Sequence, residues 1–406
     1  MRLVGYNSQG FFTRERQMKL ASRMDRLGTE TAFLVLAKAR QLEAQGKDIV
    51  HLEIGEPDFD TPSNIIEAAT KALHNGYTHY GPSPGLPELR KRIAEDVAVT
   101  RDIPVTSDNV VVTPGGKPIM FFAILALVDH GDEVLYPNPG FPIYESMIRF
   151  AGGVPVPMQL HESKDFNVNV DAVAKQVTSK TKMMIINSPN NPCGSIIPKA
   201  DLKALAGIAR KHDLIVLADE IYKRFLFEGE HHSITQFPGL VERTIILDGF
   251  SKTYAMTGWR IGYGVMPQAL VEPISRLVTN SVSCTASAIQ MGALEALNGP
   301  QEDAYAMVAE FKRRRDLIVN GLNRVPGIRC ANPKGAFYVF PNVEGTGMTS
   351  RQFADGLLQE GGVACLAGEA FGEYGKGYVR FSFANSAENL KKALGRMEGF
   401  VKSKKR

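Results

Sequence analysis

The 406-residue chain is poor in several features that would assign a protein to a class at once. Its four cysteines, Cys193, Cys284, Cys330 and Cys365, lie far apart and form no CxxC pair. That spacing argues against a disulfide framework and a cysteine-held zinc, and no metal site is expected. Tryptophan is reduced to one residue, Trp259. No apolar run approaches the roughly 20 residues that span a bilayer. The opening residues, MRLVGYNSQGFFTRERQMK, hold no apolar stretch of the leader type. Net charge is only +4, too small to point to nucleic acid or a membrane surface as a partner. The terminal Lys402-Ser-Lys-Lys-Arg406 reads as a solvated tail. There is no internal repeat and no low-complexity linker. A reducing, cytoplasmic setting is the expectation.

The chain is 44% hydrophobic and exceeds the roughly 250–300 residues that one core usually serves. Short β-branched runs alternate with helical patterns through its middle: Asn109–Thr113, Glu133–Tyr136, Val154–Pro157, Lys182–Ile186, Leu214–Leu217 and Thr244–Leu247 read as strands, and Lys199–His212 as one of the helices between them. This alternation predicts an α/β unit with a mostly parallel sheet covered by helices. Beyond about Pro300 a long polar helix, the runs Ala336–Phe340 and Gly377–Phe383 and a final helix from Ser386 predict a smaller α+β unit. The N-terminal segment, read as two helices over 17–45 broken near Gly28-Thr29, is expected to complete it. The expected division is 48–300 for the large domain, with 1–47 and 301–406 forming the small one.

One stretch, DGFSKTYAMTGWRIG from Asp248 to Gly262, organises the rest. Lys252 follows a strand pattern, at the carboxyl end where α/β sheets build their sites, and Arg260 lies eight residues on. A lysine in a partly desolvated pocket near another cation loses its proton easily, and its neutral amine attacks carbonyls. Asp219 closes another strand pattern, with Tyr222 about one helical turn later. Strand, then Pro114-Gly115-Gly116-Lys117-Pro118, then an apolar helix is the arrangement that aims free backbone N–H groups at a phosphate. Asn191 sits in a turn, Ser188-Pro-Asn-Asn-Pro-Cys-Gly194, and Phe141 follows Tyr136-Pro-Asn-Pro-Gly140. Singly, each of these is more often an ordinary structural residue. Their joint order is what changes the odds.

Together these motifs resemble the fold type I enzymes that use pyridoxal 5'-phosphate, in particular class I/II aminotransferases of the aspartate aminotransferase type. The resemblance runs from the GEPDFDTP loop to the VRFSFA strand and implies a mostly parallel, seven-stranded sheet with helices on both faces plus a smaller α+β domain. It implies that Lys252 bonds the cofactor aldehyde and moves the substrate proton, and that Asp219 keeps the ring nitrogen protonated. It implies further that Tyr222 and Asn191 hydrogen-bond the ring hydroxyl and that Phe141 stacks on the ring. Arg260 with Gly115, Gly116 and Lys117 would hold the phosphate. Arg380 would grip the substrate carboxylate, with Gly55 letting backbone approach it. Tyr80 would reach the phosphate of a neighbouring subunit, which implies a homodimer with sites at the interface. Lys117 would face the substrate side chain and favour aspartate or glutamate as amino donor and 2-oxoglutarate as acceptor. Aromatic or aliphatic donors, or β-elimination or decarboxylation on the same scaffold, remain alternatives.

Three positions depart from the family pattern. Cys193 replaces the usual threonine of an NPTG turn, Gly249 stands where many relatives carry a phosphate-binding hydroxyl, and Phe141 replaces a tryptophan. Two other nucleotide-binding patterns fail on inspection. Val111 occupies the place of the first P-loop glycine, and Gly262-Tyr-Gly264 lacks the third glycine of a dinucleotide fingerprint.

Overall fold

The computed structural model describes residues 19–404. Its central sheet is built from β2 (Val110–Thr113), β3 (Glu133–Asn138), β4 (Val154–His161), β5 (Asn167–Val168), β6 (Thr181–Asn187), β7 (Ile215–Asp219), β8 (Thr244–Gly249) and β9 (Gly262–Val265); β1 (Val50–His51) lies elsewhere. The order is β2-β9-β8-β7-β6-β3-β4-β5, eight strands against the seven expected. The extra member is the edge pair of β5 on β4, a two-residue strand too short to show a sequence period. Strands β4, β3, β6, β7 and β8 are parallel, and β9 runs antiparallel between β8 and β2.

Side-chain alternation shows how both faces are covered. Met183, Ile185 and Leu217 pack with Ile119 and Ile124 of α4 (Lys117–Leu127) and with Met147 and Ile148 of α5 (Ile143–Ala151) on one face. Met184, Ile186, Val216 and Ala218 point the other way, onto Leu202 and Leu205 of the helix Lys199–Lys211. A strand that is apolar at every position needs such a double cover, because successive side chains leave on opposite sides. A third cluster joins β2 and β9 to α3 (Pro87–Arg101) and α2 (Ser63–His74).

The C-terminal part holds a three-stranded antiparallel sheet, β10 (Tyr338–Val339), β13 (Val379–Ser382) and β12 (Leu366–Ala367). Its core draws on the helices Glu302–Leu322 and Ala387–Lys404, and also on Tyr222, Phe225 and Phe227 from the large sheet's loops. Strand β1, expected inside the large unit, instead pairs with β11 (Val363–Ala364). At the N-terminal end α1 (Thr31–Ala44) forms as expected. The helix expected before Gly28 appears as a five-residue 3-10 turn, Ser22–Arg26, with no buried residue to hold a longer one; positions 17–18 lie outside the described residues. Among the described residues no helix is long and apolar enough to cross a membrane.

Candidate active site

Parallel register fixes the site. Asp219 ends β7 level with Asn187, the last residue of β6, and with Leu247, two residues before the end of β8, so the carboxyl ends of the three strands meet at one edge. Beyond that edge lies a cavity of about 890 Å³. All but two of the twelve residues singled out from the sequence line it, Gly115 and Tyr80 being the exceptions. Gly115 lies directly behind Arg260, since a Cβ there would fall 2.1 Å from Nη2 of that arginine. Gly115 also has φ +88°, a conformation that glycine adopts without strain. Tyr80 is 89% exposed and takes no part in lining the cavity of its own chain.

Lys252 Nζ donates to the carbonyl of Gly55 at 2.5 Å. Burial lowers its pKa to about 8, with Arg380 and Lys117 adding to the effect, so a neutral amine is within reach at physiological pH. Asp219 is buried and raised to about 6. Burial is the main cause, offset by the Tyr144 hydroxyl, which donates at 2.6 Å, and by the Ile221 N–H at 3.2 Å. Sequence reasoning misses Tyr144, although it stands three residues after Phe141, a spacing that brings two side chains to one side of a helical turn.

Arg380 has 4% of its surface exposed. Nη1 donates to Asn191 Oδ1 at 3.2 Å, Nη2 to the Glu53 carbonyl, and Nε has no partner among the described residues. A buried guanidinium with an unused donor beside an open cavity is suited to an incoming carboxylate. The guanidinium also lies 4.6 Å from the Tyr338 ring centre. The Tyr338 hydroxyl meets that of Tyr222 at 2.7 Å, so the expected donor Tyr222 is already engaged. Gly55 also proves to have a different neighbour from the one expected: a Cβ there would lie 2.0 Å from the Tyr338 hydroxyl oxygen, so the glycine makes room for this tyrosine.

At the helix end, Gly116 caps α4 and Lys117 is its first residue, with Pro118 second, where a missing N–H costs little. Lys117 Nζ pairs with Glu30 at 2.5 Å and lies 5.4 Å from the Phe141 ring centre. Phe141 itself meets Tyr144 edge to face. Cys193 is buried in its turn, and its N–H donates to Asn190, leaving Asn191 where the cavity needs it. Gly249 pairs with Gly262 across β8 and β9, and a Cβ on Gly249 would stand 2.9 Å from the Cα of Gly262. The hydroxyl lost there therefore goes with a close backbone approach.

The donor set fits pyridoxal phosphate: an amine of lowered pKa, a buried carboxylate within the cavity, an aromatic face, and an arginine against a glycine-opened helix N-terminus. The sequence profile of the family described as aminotransferase class I and II matches residues 47–397. An aspartate aminotransferase of Pyrococcus abyssi is 42% identical over 374 residues, covering 91% of this chain and 96% of its own. An aromatic-amino-acid aminotransferase of Thermococcus litoralis is 40% identical over 367 residues, covering 89% and 94%. Among solved structures, an aspartate aminotransferase from Thermus thermophilus with maleate superposes with TM-score 0.90 at 39% identity over 95% of this chain and 100% of its own. With a profile spanning most of its length and such relatives on both counts, the chain belongs to the class I and II aminotransferases.

Proposed function

We propose that this pyridoxal-phosphate-dependent aminotransferase takes a dicarboxylic L-amino acid, aspartate or glutamate, as donor and a 2-oxo acid such as 2-oxoglutarate as acceptor. The observation that carries the proposal is the pair of cations on the cavity wall. Arg380 comes from β13 with an unused donor, and Lys117 comes from the start of α4. One carboxylate on each accounts for both, and the Thermus relative seen with maleate, itself a dicarboxylate, is consistent with that use.

When bound, the cofactor supplies an electron sink for the bond-breaking step. The chain's own residues do the rest. Lys252 Nζ, partly neutral because burial disfavours its charge, would take the proton from the substrate α-carbon and deliver it to the cofactor's C4′, the reverse transfer serving the second half-reaction. Asp219 is the partner for a protonated ring nitrogen, and that positive charge offsets the burial that raises its pKa. Arg260 and the backbone N–H groups of Gly116 and Lys117 would hold the phosphate, and Tyr222, Asn191 and Phe141, which line the same cavity, would border the ring. Two half-reactions on one site give ping-pong kinetics. The exposed Tyr80 is assigned to the neighbouring site of a homodimer, and the compartment to the cytoplasm.

A second reading has a specific observation in its favour. Lys117 is already paired with Glu30 and flanked by Phe33 and Phe141, a setting that accepts an aromatic or aliphatic side chain. Donor-panel kinetics on Lys117→Ala decide between the two. On the dicarboxylate proposal KM rises for aspartate and 2-oxoglutarate while uncharged donors are unaffected; an equal loss on all donors gives the lysine a phosphate role and refutes the proposal.

A further inference from the structure

Behind the site, away from the cavity, lies a buried group of charges that the reaction does not use. Arg101, the last residue of α3, has 1% of its surface exposed. Its Nε donates to Glu220 at 2.9 Å and its Nη2 to Asp248 at 2.8 Å. These carboxylates have telling addresses: Glu220 follows Asp219 directly at the end of β7, and Asp248 sits in β8, four residues before Lys252. Lys223 also reaches Asp248 at 2.7 Å, and the Tyr263 hydroxyl donates to the same oxygen at 3.0 Å. Asp96, one turn before Arg101 on α3, lies within 4.0 Å of Arg101, Lys223 and Arg224. His231 stands 3.4 Å from Glu220, and burial keeps it on its neutral side.

The group therefore sets three cations, Arg101, Lys223 and Arg224, against three carboxylates, Asp96, Glu220 and Asp248. Asp219 is the fourth carboxylate, the one that faces the cavity. Around it stand Tyr144 from α5, Tyr222 and Glu220 from its own segment, and Asp248 from β8. Glu220 and Asp248 both press Asp219 towards protonation. We infer that Arg101 is a positioning residue for the catalytic pair: its guanidinium ties the ends of β7 and β8 together and neutralises the two carboxylates that flank Asp219, keeping Asp219 ionised for the cofactor nitrogen.

The inference rests on Asp219 serving the cofactor, and its test separates the two. Two variants should move the enzyme in opposite directions. Arg101→Met leaves one excess negative charge beside Asp219, so the acid limb of kcat/KM should move up by about one pH unit, a roughly tenfold loss on that limb. Glu220→Gln leaves an excess positive charge, so the limb should move down. The double variant R101M/E220Q should return it. Pyridoxal phosphate affinity of the stripped protein, by equilibrium dialysis at pH 6.5 and 8.5, gives a readout independent of turnover. R101M should weaken binding several-fold more at pH 6.5 than at pH 8.5, and E220Q should not. Should R101M not fold, the downward limb in E220Q still decides. Losses that are equal at every pH, or limbs that move the same way in both variants, make Arg101 merely structural and overturn the inference. If Asp219→Asn leaves cofactor affinity and turnover intact, the assignment of Asp219 fails instead.

Discussion

Replacing Asp219 by asparagine in the cofactor-free protein should make it more stable near neutral pH. Asp219 sits at about 6 in the folded chain against 3.8 for the free side chain, because burial penalises its charge more than Tyr144 and the Ile221 N–H relieve it. A gap of that size corresponds to about 3 kcal/mol. The sign follows from proton counting: between 3.8 and about 6 the folded protein holds a proton that the unfolded chain has released. Stability from this residue is therefore greatest at low pH, falls as pH rises through that window and stays low above it. An asparagine side chain would carry no such proton, and the hydrogen bonds it gains or loses shift stability by an amount independent of pH. Urea unfolding of the two stripped proteins at pH 4 and pH 7 should then show the difference between them changing by about 2 kcal/mol in favour of the variant, the rest of the span lying below pH 4. Adding pyridoxal phosphate should stabilise wild type more than the variant, since a protonated ring nitrogen offsets the cost only where there is a charge to meet. Parallel pH profiles for the two proteins would refute the claim that Asp219 is held against its burial.

His51 is raised to about 9 by its hydrogen bond to buried Glu53 and by Glu43, so its stabilisation is complete below 6.5 and disappears as pH rises through 9. His51→Gln should cost about 1 kcal/mol or more at pH 6 and little above pH 10, as thermal melts would show. Gly55→Ala places a Cβ on the Tyr338 hydroxyl and should cost roughly 1–3 kcal/mol and most activity, with partial recovery in G55A/Y338F; no cost would mean that the loop simply moves aside. Gly249→Ser, though it restores a hydroxyl common in relatives, should destabilise by a similar amount (about 1–3 kcal/mol), because β8 and β9 leave no room for a Cβ; improved cofactor affinity without loss of melting temperature would contradict the packing. Glu30→Gln frees Lys117 from a partly exposed ion pair worth about 0–1 kcal/mol, so KM for aspartate should fall by up to about fivefold while KM for aromatic donors stays put; steady-state kinetics test both.

Much of the scaffold was legible because its signal is local. A β-branched run such as Thr244-Ile-Ile-Leu has few alternatives to a buried strand, and an aspartate that ends one or a lysine that follows one is conspicuous by contrast. Strand β9 was not legible, because Gly262-Tyr-Gly-Val has low strand propensity by itself. Its glycines are there for a tertiary reason: a Cβ at Gly262 would collide with the backbone of Gly115 and Gly116. Tyr338 and Gly55 likewise show their relation only across the fold. Arg101 is the extreme case. From sequence it is a basic residue in the last turn of a helix, favourable there and usually solvated. Its partners Glu220 and Asp248 lie 119 and 147 residues away, and nothing in a local window announces them.

Asp219 and Lys252 are displaced in complementary directions, and on the roles proposed for them the displacement predicts a loaded site more stable than the empty one. Burial raises the carboxyl of Asp219 to about 6 and lowers the amine of Lys252 to about 8, each towards its neutral form. In the bare chain neither shift helps folding, because each charged form is left in a poorer environment than water. On the proposed roles, a protonated ring nitrogen would give Asp219 the countercharge it lacks, and a bond from Lys252 to the cofactor would remove the ammonium that burial penalises. The remaining charges then fall to the scaffold, where Arg101, Lys223 and Arg224 balance Asp96, Glu220 and Asp248. The arrangement is costly for the empty protein, and cofactor binding would relieve that cost at both groups, so part of the binding energy would appear as stability of the loaded chain.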